Sequence, residues 1–85
     1  MREIIEEDAF KQCVAELRIQ YERLDEAMEA TRFALCREPE LFPLVLGTHI
    51  RRLRLSACLG VPECDIWFTF DDRCVRLLHI ETLPE

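Results

Sequence analysis

The chain has 85 residues, of which 49% are hydrophobic and 33% charged, and its formal net charge is −6. A chain of this length supports one hydrophobic core, so we expect a single domain over residues 1–85. The composition is too apolar for a disordered chain, and no run approaches the roughly 18 apolar residues that a membrane span needs. The stretch "MREIIEED" lacks the basic start and apolar middle of a signal peptide, so we expect a cytoplasmic protein with no membrane partner.

The first elements are predicted to be a strand and a helical segment. "REIIE" is typical of a short strand, and Asp8 is a candidate N-cap for the helix after it. Pro39 ends that helix, because proline disrupts helical hydrogen bonding. A single helix over residues 8–37 would be about 45 Å long, so we favour two helices with a break near "RIQ". The helix stripe is spaced mainly by three and four residues: Phe10, Cys13, Val14, Leu17, Tyr21, Leu24, Met28, Thr31 and Leu35.

The second half of the chain is predicted to form strands. "LFPLVLGT" is an irregular connection with a turn at Gly47, and "THIRRLRLSA" is a strand. "CDIWFTF" and "CVRLLHI" form a β-hairpin around "DDR", where aspartates favour a tight turn by bonding nearby backbone N–H groups. Because both faces of this hairpin carry apolar residues, we place it centrally in the sheet. Strict alternation puts Arg76 and His79 on opposite faces of the last strand.

The five cysteines are an odd number without a C-x-x-C pair, which favours free thiols in a reducing compartment. A zinc site is disfavoured, because zinc ligands are usually about two to four residues apart and no such cysteine pair exists. We therefore predict no metal and no cofactor. A cysteine nucleophile paired with a histidine has no local signature and stays an open alternative. The residues weighed for the zinc site are His49, Cys58, Cys64, Cys74 and His79.

The candidate site consists of basic residues in the second half of the chain. Residues 1–40 hold eleven acids and six bases, against six acids and five bases in residues 41–85. Arg52, Arg54 and Arg76 are candidates to hold a phosphate diester, and His79 is the candidate general acid or base. Two alternatives remain open. The arginines pair with the eleven acids of the N-terminal half or keep the sheet edge soluble, or with Trp67 they form a docking surface for a peptide.

The order of these segments resembles a known family. "REII", "YERLDEAMEATRFAL", "REPE", "LGTHIRRLRL" and "IWFTFDDRCVRLLHIE", taken together, are similar to the RelE/ParE superfamily of type II toxin-antitoxin toxins, a group that includes plasmid stabilization proteins. The resemblance covers most of the chain. It implies an α+β fold in which two N-terminal helices pack on a small antiparallel sheet.

The resemblance also implies a function and partners. A cognate antitoxin is the expected partner, and a homodimer is left open. Toxins of the RelE type cut messenger RNA at the ribosome, and those of the ParE type act on DNA gyrase. By position, Arg52, Arg54 and Arg76 are similar to the basic sheet residues of the cleaving branch, and His79 lies in the corresponding last strand. The net charge of −6 predicts weak nonspecific attraction to RNA, so enzymatic activity is left open beside a non-catalytic interaction domain.

Overall fold

Helices and strands both contribute to the fold seen in the computed structural model, which describes residues 1–84. This part of the chain has an α+β fold, as the sequence predicted. Both helices follow the first strand, so the prediction that they are N-terminal to the sheet is wrong. The strands are β1 (Glu3–Glu6), β2 (Arg51–Leu55), β3 (Cys64–Phe70) and β4 (Cys74–Thr82). The helices are α1 (Asp8–Gln20) and α2 (Leu24–Arg37), with a 3₁₀-helix at Pro39–Leu41.

The four strands form one mixed sheet in the order β1-β4-β3-β2. β3 pairs with both β2 and β4 in antiparallel orientation, whereas β1 pairs with β4 in parallel. The prediction of an antiparallel sheet is therefore wrong at β1. Both helices, β2 and β3 lie between β1 and β4 in the sequence. A connection of this length allows the chain to return to the same end of the sheet, so that two neighbouring strands run in parallel. The β3–β4 hairpin lies in the centre of the sheet, as predicted.

The helical segment is divided in two, as its length predicted. Tyr21 has extended backbone angles of φ −126° and ψ 94°, and its N–H donates to the carbonyl of Leu17. No glycine or proline causes this break. A continuous helix of about 45 Å would exceed the longest dimension of the molecule, 33 Å, and would carry half of its apolar stripe beyond the sheet. The break allows both halves to bury their apolar side chains.

The helix ends differ in one respect from the prediction. Glu7 is the N-cap residue of α1, Asp8 is the first helical residue, and the Glu7 side chain makes no capping hydrogen bond. The negative charge of Asp8 in the first turn still stabilises α1 by its interaction with the positive end of the helix dipole. α2 ends at Arg37, two residues before Pro39, as predicted. Within residues 1–84, neither helix has the length and apolar character needed to cross a membrane.

One face of the sheet packs against the two helices and forms the core, and we call it the covered face. Phe68 in the middle of β3 is fully buried, and Leu77 lies opposite it on β4. Ile66 and Ile80 form the next buried pair along the same two strands. Helical residues complete this core: Phe10, Val14, Leu24, Ala27, Met28 and Leu35.

A β-bulge interrupts the pairing of the central hairpin. Trp67 lies opposite His79 and the next residue, Phe68, lies opposite Leu77, so Leu78 is an extra residue on β4. An extra residue reverses the alternation of side chains beyond it. Arg76 and His79 therefore project from the same face of the sheet, and the prediction that they lie on opposite faces is wrong.

Candidate functional site

The face of the sheet opposite the helices carries the candidate site, and we call it the open face. Directly paired residues of neighbouring strands project from the same face, so the register identifies its members. One row runs from Arg52 through Trp67 to His79, and the next runs from Arg54 through Asp65 to Glu81. A third row pairs Thr69 with Arg76. All four predicted site residues, Arg52, Arg54, Arg76 and His79, lie on this face and are exposed.

Arg54 is held in place by a buried carboxylate. Its Nε and Nη2 atoms donate to the two carboxylate oxygens of Asp65 at 3.0 and 3.2 Å, a bidentate ion pair. The Asp65 side chain is only 5% exposed, whereas that of Arg54 is 50% exposed. The hydrogen bond and the charge of Asp65 raise the pKa of Arg54. Arg54 therefore neutralises a buried acid, and less of its charge is available to a ligand.

Arg76 makes a weaker ion pair. Its Nη1 atom lies 3.4 Å from an Oε atom of Glu7, in the connection between β1 and α1. Both side chains are nearly half exposed, so water and salt screen this pair and a ligand can compete for Arg76. Beside Arg76 lies a small cleft of about 180 Å³, which is also lined by His49, Thr69, Phe70, Asp71 and Cys74.

Arg52 differs from the other two, because its guanidinium has neither an ion pair nor a hydrogen bond within residues 1–84. Its backbone position on β2 is directly opposite Trp67, in the central row of the open face. A guanidinium with its donors free can bind a carboxylate or a phosphate in bidentate geometry. Arg52 is therefore the residue of the candidate site best placed to contact a ligand.

The neighbouring Arg51 has a structural role instead. Its Nη1 atom donates to the backbone carbonyl of Phe42 at 2.6 Å and to that of Glu40 at 3.2 Å. Its guanidinium also lies over the ring of Phe70, 5.4 Å from the ring centroid, in a cation–π contact. Arg51 thus ties the connection after α2 to the sheet. Alternation along β2 separates this arginine from Arg52 and Arg54, as the sequence predicted.

His79 contacts three side chains. Its Nδ1 atom is 3.6 Å from the Sγ atom of Cys13 on α1, and its Nε2 atom is 3.9 Å from a carboxylate oxygen of Glu81. The ring of Trp67 lies beside the imidazole, with 5.4 Å between centroids and a tilt of 41°. The structure therefore brings together a cysteine and a histidine, the pairing that the sequence left open.

The residues that were weighed for a zinc site do not form a group of ligands in the described part of the chain. Cys64 is buried in β3 and its thiol contacts the carbonyl of Pro62 at 3.3 Å, whereas Cys58 is exposed in the loop before β3. Cys74 contacts the carboxylate of Asp71 in the hairpin turn. All five cysteines are free thiols. In the part of the chain that the structure describes, no group of three or more His, Cys, Asp or Glu residues is arranged to hold a metal ion.

Sequence reasoning missed three residues of this region. Asp65 lies one position before the apolar centre of β3 and, like Trp67, belongs to the open face, so alternation along the strand contained a signal for it. The pairing of Asp65 with Arg54 could not be predicted without the register of β2 against β3, which depends on the loop between these strands. Glu7 and Cys13 had no local signal, because both lie more than 60 residues from their partners on β4.

Comparison with known proteins adds no family assignment. No protein-family model matches this sequence, and no curated protein matches it.

Proposed function

We propose that this chain is a toxin-type component of a type II toxin-antitoxin pair, with a RelE/ParE-like fold, and that it binds a cognate antitoxin through the open face. The observation that carries this proposal is the meeting of Arg52, Arg54 and Arg76 on one exposed face of the sheet. The order of strand, two helices and three strands supports the resemblance noted in the sequence.

The open face suits a partner that presents carboxylates beside apolar side chains. Arg52 offers a guanidinium that has no partner among residues 1–84, and Trp67 beside it is half-buried, so part of its indole is accessible. Tryptophan and arginine contribute more to binding energy at protein interfaces than most other residues. A single partner carboxylate can pair with the Arg52 guanidinium in bidentate geometry.

RNA cleavage is a second activity that we propose for this chain, and the composition of the open face limits how efficient it can be. Arg52 and Arg76 would bind the phosphate diester, and His79 would transfer a proton during strand cleavage. However, Asp65 already holds Arg54, and the net charge of −6 weakens general attraction to RNA. Antitoxin binding is therefore the main function proposed, with cleavage as an additional one.

A non-catalytic interaction domain of the same fold is the second candidate. It is favoured by the intramolecular partners of the predicted catalytic residues, since Arg54, Arg76 and His79 each contact another side chain. Docking of a protein partner requires only the surface and no proton transfer.

Induced expression of the chain in a bacterial host separates these functions. Growth arrest with loss of messenger RNA supports cleavage, and growth arrest with DNA damage supports action on gyrase. The absence of arrest supports the interaction domain. If arrest occurs, Arg52→Ala should relieve it while leaving the amount of folded protein unchanged. Arg18→Ala is the matched control, because Arg18 is an exposed arginine on α1 that pairs with Asp25, away from the open face.

The antitoxin is tested by co-expression. The product of a short open reading frame next to the coding sequence should restore growth and co-purify with this chain. Arg52→Ala should weaken that complex roughly tenfold or more, as expected for loss of a central arginine at an interface, whereas Arg18→Ala should not. Equal binding by both variants would contradict the open face as the binding surface.

A further inference from the structure

Side chains from two distant parts of the sequence, α1 and β4, form a thiol–imidazole–carboxylate cluster. Cys13 Sγ lies 3.6 Å from His79 Nδ1, and His79 Nε2 lies 3.9 Å from a carboxylate oxygen of Glu81. Trp67 packs beside the imidazole ring. The order thiol, imidazole, carboxylate is the arrangement in which a histidine activates a cysteine and an acid orients the histidine.

The tertiary structure explains how this cluster forms. β1 pairs with β4 only along Cys74–Leu77, and α1, which begins at Asp8 shortly after β1, also packs against β4 and reaches His79 through Cys13. The bulge at Leu78 turns His79 to the open face, beside Trp67. The cluster is accessible, because Cys13 is half-buried and the side chains of His79 and Glu81 are 48% and 61% exposed.

The other four cysteines provide a comparison within the same molecule. Burial raises the pKa of the Cys64 thiol, and burial together with the Asp71 carboxylate raises that of Cys74. Both thiols are therefore poor nucleophiles, since the thiolate is the reactive form. Cys58 is exposed and Cys36 is half-buried, and within residues 1–84 neither thiol forms a hydrogen bond to a histidine.

We propose that Cys13 is a modification site for low-molecular-weight disulfides, with His79 as the base that accepts the thiol proton. The proton moves from Cys13 Sγ to His79 Nδ1, and the resulting thiolate attacks one sulfur of the disulfide. The disulfide bond breaks as a mixed disulfide forms on Cys13, and the other half leaves as a thiolate, which takes up the proton from His79. The Glu81 carboxylate, 3.9 Å from the other ring nitrogen, helps to hold the imidazole in this orientation. This inference does not depend on the toxin-type function.

The test uses oxidised glutathione as the disulfide on the folded, reduced protein. At successive times the free thiols are blocked with N-ethylmaleimide, and peptide mass spectrometry measures the glutathione on each cysteine. Cys13 should react roughly tenfold or more faster than Cys58, a modest effect for general base assistance. His79→Ala should reduce the rate at Cys13 to about that of Cys58 and leave the rate at Cys58 unchanged. His49→Ala, which removes the other histidine, is the matched control and should change neither rate.

The buried cysteines report on folding in the same measurement. If His79→Ala opens the structure, modification of Cys64 and Cys74 will rise, and His79→Gln then provides the comparison, because glutamine is polar but cannot accept the proton. Glu81→Gln should lower the rate at Cys13 by only about twofold, as expected when an exposed group that orients the imidazole is replaced. A rate at Cys13 no faster than at Cys58 would overturn the proposal, as would a folded His79 variant with an unchanged rate at Cys13.

Discussion

The covered and open faces of the sheet are built from alternating residues of the same strands, yet they contribute differently to the protein. On the covered face Phe68 and Leu77 are at most 1% exposed and pack against the helices. On the open face Arg52, Arg76 and His79 are exposed and carry the groups that can bind or react. Substitutions on the first face should therefore change stability, and those on the second should change binding and reactivity.

Asp65 is the exception to this division. It lies on the open face by its register with Arg54, but it is 3% exposed and is the one buried charged residue within residues 1–84. Burial of a carboxylate is unfavourable unless a partner compensates for its lost hydration. The Arg54–Asp65 pair thus gives the open face a structural component beside its candidate ligand-binding residues.

Phe68→Ala should have the largest effect on stability. Phe68 is fully buried on β3, and replacing a buried phenylalanine with alanine typically costs about 3 to 5 kcal/mol, because apolar contacts are lost and a cavity remains. Denaturant unfolding measures this loss. Thr69→Ala, one position along on the open face, is the control and should cost about 1 kcal/mol or less. Equal losses of stability for the two variants would show that the covered face does not contribute more to stability than the open face.

Asp65→Ala should lower the free energy of unfolding by less than Phe68→Ala, about 1 to 3 kcal/mol. It removes a buried hydrogen-bonded carboxylate but leaves an exposed arginine that water can solvate. Arg54→Ala should also destabilise the protein, since it leaves the buried carboxylate without its partner. A double-mutant cycle measures their coupling. The double variant should lose less than the two single losses together, and strict additivity would show that the pair is not coupled.

Asp71 in the hairpin turn should make stability depend on pH. Hydrogen bonds from the backbone N–H groups of Arg73 and Cys74, both 2.8 Å long, lower the pKa of its carboxyl. Since this pKa is lower in the folded than in the unfolded state, the stabilisation is present above the unfolded-state pKa. It is lost as the pH falls through the folded-state value.

The measurement is denaturant unfolding at a series of pH values down to about pH 3, across the range where aspartate titrates. Asp71→Asn should lose less stability on acidification than the original chain, because asparagine keeps an oxygen acceptor but does not titrate. Asp72→Asn, the adjacent turn residue, is the control. If Asp71→Asn and the original chain lose equal stability on acidification, the Asp71 carboxylate does not contribute to the pH dependence.

Arg52→Ala should have the smallest effect on stability, within about 0.5 kcal/mol, because it removes no ion pair and no hydrogen bond of the described residues. The same substitution should have the largest effect on partner binding. Denaturant unfolding alongside the binding assay tests both expectations on one variant. A large loss of stability would mean that Arg52 belongs to the folded framework and would remove the main support for a free ligand-binding arginine.

Local sequence patterns predicted most of the elements. The hairpin strands were expected at residues 64–70 and 74–80, and they lie at Cys64–Phe70 and Cys74–Thr82. Aspartate was expected to bond the backbone of the turn, and Asp71 does so. Alternation along β2 correctly placed Arg52 and Arg54 together. These predictions succeed because strand periodicity and turn chemistry act between residues that are close in the chain.

Contacts between distant segments were not predictable in this way. The parallel pairing of β1 with β4, the bulge at Leu78 and the contact of Cys13 with His79 depend on how the helices pack on the sheet. The bulge matters most for the candidate site, because it reverses the side-chain alternation between Arg76 and His79.

The sequence by itself determined the α+β composition, the hairpin and the side of β2 that carries the arginines, because each follows from patterns within about ten residues. Only the tertiary structure decided which arginine on this face lacks a partner among residues 1–84, which is paired with a buried acid, and which thiol lies beside an imidazole. Those outcomes depend on strand register and helix position, which are set by the packing of the whole core.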